Sequence, residues 1–103
     1  MKIKDNFIET TENIYQWFDD KNLSDPIMQF AKTIEEIGEI AHELTRGHYD
    51  TPEMLDALGD TYVTLVGMAH HLGYDIAECA EAAYNVISNR TGKVVNGSFV
   101  KDV

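Results

Sequence analysis

Apolar residues recur along most of this chain at intervals of three and four, the spacing that gathers one side of an α-helix. Four helical segments follow, with stop signals between them. The first runs from about Asp5 to Asp19, with Phe7, Ile8, Ile14, Tyr15, Trp17 and Phe18 as its apolar candidates. After the turn K-N-L-S-D-P, Asp25 and Pro26 supply an N-cap and a first-turn residue, and the second helix continues to about Arg46 before Gly47. Thr51, Pro52 and Glu53 start a third helix that ends at Gly73. Asp75 with Glu78 resembles a capping box and opens a fourth, reaching about Arg90 ahead of Gly92. Beyond it, Asn96-Gly97 between short β-prone stretches predicts a type I′ hairpin.

The same periodicity predicts which sides are buried. On the second helix Ile34, Ile37, Ile40, Ala41 and Leu44 form one stripe, with Lys32, Glu36, Glu39 and Glu43 roughly opposite and Glu35 at their edge. On the third, Leu58, Tyr62, Leu65, Val66 and Ala69 form the stripe, and Asp56, Asp60 and Val63 lie away from it. Such two-sided helices suit an all-α, four-helix bundle-like fold with a short C-terminal β-hairpin or extended tail. Gly38 and Gly59 cost each helix about 1 kcal/mol relative to Ala. Each adjoins a carboxylate, so close approach of backbone or ligand is the expected reason.

Composition narrows the function. With 103 residues the chain suits one domain, 1–103. Its net charge of −10 argues against broad binding to nucleic acid or anionic membrane. A lone cysteine, Cys79, rules out an intramolecular disulfide framework and sits where a helix core favours a small apolar residue. No stretch approaches a membrane span, and the polar start M-K-I-K-D-N lacks a signal-peptide core, so a cytoplasmic location is expected.

The chemistry concentrates in two acidic clusters: Glu35, Glu36 and Glu39, then Asp56 and Asp60. Residues three or four apart share a helix face. Crowded carboxylates repel unless a cation neutralises them, and hard divalent ions prefer oxygen ligands. A metal-dependent reaction on a phosphate substrate is therefore the leading expectation. The plain alternative is a solvated helix face. Lys32 can pair with Glu36 at i,i+4 or reach a phosphate, while Glu43 lies outside the cluster pattern and reads as surface. His42, His48, His70 and His71 lack the His-Glu-x-x-His spacing and a thiolate partner, and His70-His71 suit a helix C-terminus. Tyr15, Trp17 and Phe18 read as packing residues or as a wall for a nucleobase.

The run Glu35-Glu36-Ile37-Gly38-Glu39, followed about sixteen residues later by an acidic segment ending Leu58-Gly59-Asp60, resembles the MazG-like all-α nucleoside triphosphate pyrophosphohydrolases. Their signature is Glu-Glu-x-x-Glu and then Glu-x-x-Asp. Ala57 stands where the second half calls for Glu, and Asp56 lies one residue earlier. That displaces the carboxylate by about 100° yet leaves it one turn from Asp60. The resemblance runs from about Ile27 to the C-terminus, including Y-N-V-I-S-N-R-T-G-K-V-V-N-G-S-F-V-K. It implies hydrolysis of a nucleoside triphosphate to monophosphate and pyrophosphate. It further implies Mg²⁺, or Mn²⁺ in its place, on Glu36, Glu39 and Asp60, with Asp56 a substitute ligand or acting through water. Glu35 is the expected base or a group orienting the ligands. Asn85, Arg90 and Lys93 resemble the nucleotide-contacting group, and the resemblance implies a homodimer or homotetramer. The competing expectation, favoured by Ala57, is a non-catalytic acidic helical module that binds nucleotide and metal or a protein partner.

Overall fold

A computed structural model describes residues 1–102. The element order is α1 (Phe7–Asp20), α2 (Pro26–Thr45), α3 (Pro52–Leu72), α4 (Ile76–Ile87), β1 (Gly92–Val95) and β2 (Ser98–Lys101). The fold is mostly helical, as expected, and the tail is a two-stranded antiparallel hairpin. No helix among the described residues is long and apolar enough to cross a membrane.

Local chemistry explains the boundaries. Asp25 accepts the backbone N–H groups of Ile27 and Met28 at 2.9 and 3.4 Å, with Pro26 in the first turn of α2. Thr51 accepts from Met54 N at 3.1 Å ahead of Pro52, and Asp75 accepts from Ala77 N at 2.9 Å. Each cap satisfies donors that the helix itself leaves unpaired. α4 ends at Ile87, three residues short of the expected Arg90. Asn89 turns its amide back onto the Asn85 carbonyl at 2.8 Å, a local bond that competes with further helix. In the hairpin Val94 faces Phe99 and Val95 faces Ser98. Asn96 and Gly97 between them have φ of 51° and 81°, the double left-handed turn that suits strand twist.

α2 and α3 lie side by side and antiparallel, with Thr33 level with Thr64 and Glu36 level with Asp60. Their seam is narrow and largely polar. From α2 it takes Gln29 and Thr33, with Glu36, Ile40 and Glu43 half-buried; from α3 it takes Met54, Ala57 and Thr64. Thr33 Oγ1 lies 2.8 Å from the Gln29 carbonyl and 3.0 Å from Thr64 Oγ1, which lies 2.9 Å from the Thr61 carbonyl. Each hydroxyl thus has an acceptor for its single proton, as burial requires.

α1 packs on α3. Phe18, 2 % exposed, stands edge-on to His71 and fills the space over Gly67. Thr11 and Tyr62 hydroxyls meet at 2.8 Å, and His70 Nε2 lies 2.8 Å from Asp19. His70 therefore ties α3 to α1, beyond the helix-end role expected of it. The Tyr15 hydroxyl accepts the Ile76 N–H at 2.9 Å and anchors the start of α4.

Burial departs from the expected stripes. Ile34, Ile37 and Leu44 of α2 and Leu58 and Leu65 of α3 are all exposed, while Val66 and Ala69 are buried as expected. The physical reason is direction. α2 meets α3 along a line between its apolar and acidic sides, so neither side is fully covered. Cys79 is exposed as well, and no described residue of α4 is buried.

A methyl group added at Gly67 would collide with the Phe18 ring. Overpacking of a filled core costs about 1–3 kcal/mol, which outweighs the helix-propensity gain of about 1 kcal/mol. Gly67→Ala is expected to lower the urea unfolding midpoint; a raised midpoint would contradict the packing described.

Candidate metal centre

The α2–α3 seam sorts the two helices into opposite flanks. Advancing 100° per residue from the seam positions, Glu35, Glu36, Glu39 and Glu43 fall on one flank of α2. Glu53, Asp56 and Asp60 fall on the same flank of α3. All seven, with Ala57, line one cavity of about 320 Å³. The sequence-predicted acids are thus brought together from two helices. A shallower depression at the start of α3 adjoins this cavity and shares Glu53 and Asp56.

The electrostatics follow from that crowding. Partial burial, then the charges of Asp60, Glu35 and Glu39, push the Glu36 carboxyl above its ordinary range, with Lys32 opposing. Partial burial also raises Asp60, helped by the charge of Asp56 and by a hydrogen bond shared between the two carboxyls. Lys32 pairs with Glu35 at 3.3 Å instead of the expected Glu36, because Glu36 turns into the seam while Glu35 stays at the rim. Glu43 is engaged by His48, whose Nδ1 lies 3.0 Å from Glu43 Oε2; its side chain is largely buried and lines the cavity, so it is not the surface residue its spacing suggested.

The donor set fits a hard divalent cation: several oxygens, no thiolate or imidazole among the lining residues, and negative charge that Lys32 offsets only in part. Among the described residues, no three His, Cys, Asp or Glu side chains already stand in the close geometry of a metal centre. Ala57, 5 % exposed, lies at the cavity itself, so the place where the acidic signature calls for Glu is part of this site.

Other predicted residues fall elsewhere. Asn85 lies in α4, Arg90 in the turn after it and Lys93 on β1; all are exposed, and none lines the acidic cavity. Trp17 stands edge-on to Phe18 with ring centroids 5.2 Å apart, away from the acids. The histidines are also dispersed: His42 Nδ1 meets Arg46 at 2.9 Å, and His71 Nε2 is buried without a partner. Burial first, then the charge of His70, lowers the His71 ring below the ordinary histidine range. Gly38 and Gly59 face open space, so the close approach expected at them is not made within this chain. Glu53 was missed by sequence reasoning. As N2 of α3 it reads as a helix-start acid, and only the antiparallel pairing carries it to the cluster.

Comparison with protein-family models, curated proteins and solved structures finds no match for the chain.

The raised carboxyls set a sign for stability. A group whose folded pKa exceeds its unfolded value binds more protons when folded, so stability declines as pH rises through that interval. Here the interval begins near the ordinary values of 4.5 for Glu36 and 3.8 for Asp60. Glu36→Gln and Asp60→Asn are expected to raise the metal-free thermal midpoint at pH 7, and the gain should vanish below about pH 4. Equal midpoints at pH 7 would contradict the raised carboxyls, whether burial or neighbouring charge is the cause.

Proposed function

We propose that the chain is a Mg²⁺-dependent nucleoside triphosphate pyrophosphohydrolase with a MazG-type fold, acting at the acidic flank of the α2–α3 pair. The observation that supports this reading is the convergence of Glu36, Glu39, Asp56 and Asp60 on one cavity from two helices. Four oxygen-bearing side chains with raised or mutually repelling charge are the donor set that a hard cation stabilises. Carboxylates alone repel a triphosphate, so a cation between them is also a condition for binding that substrate.

Glu36, Glu39 and Asp60 would hold the ion, with Asp56 beside Asp60 supplying the oxygen that Ala57 lacks. Bound there, Mg²⁺ supplies positive charge to phosphate oxygens and stabilises charge that builds up during the displacement. Glu35, exposed at the rim, accepts a proton from the attacking water. The water oxygen bonds to phosphorus as the bridging P–O bond between the α and β phosphates breaks, which leaves monophosphate and pyrophosphate. Lys32, 3.3 Å from Glu35, neutralises phosphate charge next to that base. Arg90, Lys93 and Asn85 would meet the phosphates and nucleoside from the C-terminal segment; since none lines the cavity of its own chain, that role requires the segment to approach from elsewhere.

That separation, together with Ala57, favours a second reading: a non-catalytic acidic module that binds metal and nucleotide without turnover. Incubation with a panel of nucleoside triphosphates and Mg²⁺, with products resolved, separates the two. Monophosphate and pyrophosphate in equal amounts are expected; inorganic phosphate alone or no product would reject the hydrolase.

Glu39→Gln and Asp60→Asn are each expected to lower turnover by more than about 100-fold, since even groups behind metal ligands are worth roughly 10–100-fold. Circular dichroism should show the helices unchanged. Ala57→Glu should tighten Mg²⁺ binding, measured by calorimetry, if an absent ligand limits the site. Retained turnover in both ligand variants would remove the proposed ligand set.

A further inference from the structure

A second cavity, of about 560 Å³, opens between α1, α3 and the start of α4, and it shares no lining residue with the acidic one. Its size falls within the range of about 300–1,000 Å³ usual for small-molecule sites. Phe7, Thr11 and Tyr15, four residues apart on one side of α1, line it together with Tyr62 of α3. Asp75 and Ala80 line it from the cap and second turn of α4, and Glu12 lies next to Thr11. We propose that this cavity binds a small organic ammonium ion with an apolar body.

The walls are held by their own hydrogen bonds. Thr11 and Tyr62 pair their hydroxyls at 2.8 Å, and the Tyr15 hydroxyl accepts the Ile76 N–H at 2.9 Å. Those bonds fix the polar tips and leave the apolar sides of the rings, with Ile8 and Ile76, to face a guest. α4 lacks such cover. It has 12 residues, none of them buried, and a helix of that length is marginal by itself in water. A guest with an apolar body, seated between α1 and Ala80, supplies the contact that α4 is missing.

Charge identifies the class of guest. The lining contains the carboxylates of Glu12 and Asp75 and no Lys, Arg or His. Asp75 takes the Ala77 N–H on one oxygen, at 2.9 Å, which leaves its other oxygen for a ligand. Glu12 has no ion-pair partner among the described residues. Two carboxylates without a cation beside them repel a phosphate or carboxylate and attract an ammonium group. Aromatic faces attract the same charge through their quadrupole, the means by which aromatic cages hold organic ammonium ions. His70 already packs on the Tyr15 ring, with centroids 4.8 Å apart. Phe7 and Tyr62, 5.4 Å apart, are therefore the rings that meet the charge. The triphosphate proposed for the acidic cavity does not fit here, because nothing in this lining offsets its charge.

Titration of the isotope-labelled full chain with phenyltrimethylammonium, and in parallel with its uncharged carbon isostere tert-butylbenzene, tests the site. The cation is expected to shift amide signals of residues 7–15 and 75–80 saturably, and excess Mg²⁺ should not displace it. The isostere is expected to bind at least about tenfold more weakly. Amide exchange within α4 should slow about tenfold once free cation reaches about ten times its dissociation constant. Glu12→Gln combined with Asp75→Asn, which keeps a capping side chain, should weaken the cation at least about tenfold. Ala80→Phe should fill the cavity and abolish binding; where that variant fails to fold, the carboxylate pair decides. Three results overturn the proposal: no saturable shift, equal binding of cation and isostere, or shifts confined to residues 35–60 and reversed by Mg²⁺.

Discussion

The antiparallel contact between α2 and α3 is the constraint on which everything else depends. It is a narrow contact, built from small and polar side chains: Gln29, Thr33, Ala57 and Thr64, tied by a hydroxyl pair at 3.0 Å. Small residues let the helices approach closely, and the threonines fix their register because each buried hydroxyl needs an acceptor. A seam made this way uses neither of the strong faces of the two helices. It leaves acids on one flank and leucines and isoleucines on the other, each with a task that the seam itself does not perform.

The two flanks oppose each other energetically. Among the seven carboxylates around one cavity, Glu36 and Asp60 cost stability through partial burial and the charges beside them. A bound cation would offset that cost, which is the physical ground for proposing metal and phosphate at this site. On the other flank, apolar side chains such as Ile34, Ile37, Leu58 and Leu65 stay exposed, which costs stability through contact with water. The acid cavity and the exposed apolar flank are thus two consequences of one packing decision.

Much of this was legible in the residues. Asp25-Pro26, Thr51-Pro52 and Asp75 marked helix starts because capping is local chemistry, and Asn96-Gly97 marked the hairpin turn because few residue pairs adopt two positive φ angles. Spacing placed Glu36 with Glu39 and Asp56 with Asp60 on one face of each helix, while their meeting across the two helices was implied by the family resemblance. The burial of the stripes was not legible. Periodicity shows that Ile37 and Leu44 share a side, but whether that side meets the same chain or another depends on which line of α2 contacts α3, a tertiary choice made by Thr33 and Thr64. Glu53 was hidden for the same reason, as was the Lys32–Glu35 pair, decided by Glu36 turning into the seam.

The central claim is that the acidic flank holds a hard divalent ion. Paramagnetic relaxation by Mn²⁺ tests it most directly, with the ion titrated into isotope-labelled protein at substoichiometric amounts. Selective broadening of amide signals over residues 35–39 and 56–60, reversed by excess Mg²⁺ and absent from the hairpin, is the predicted result. Broadening spread evenly over all exposed acids, including Glu9, Glu78 and Asp102, would contradict it.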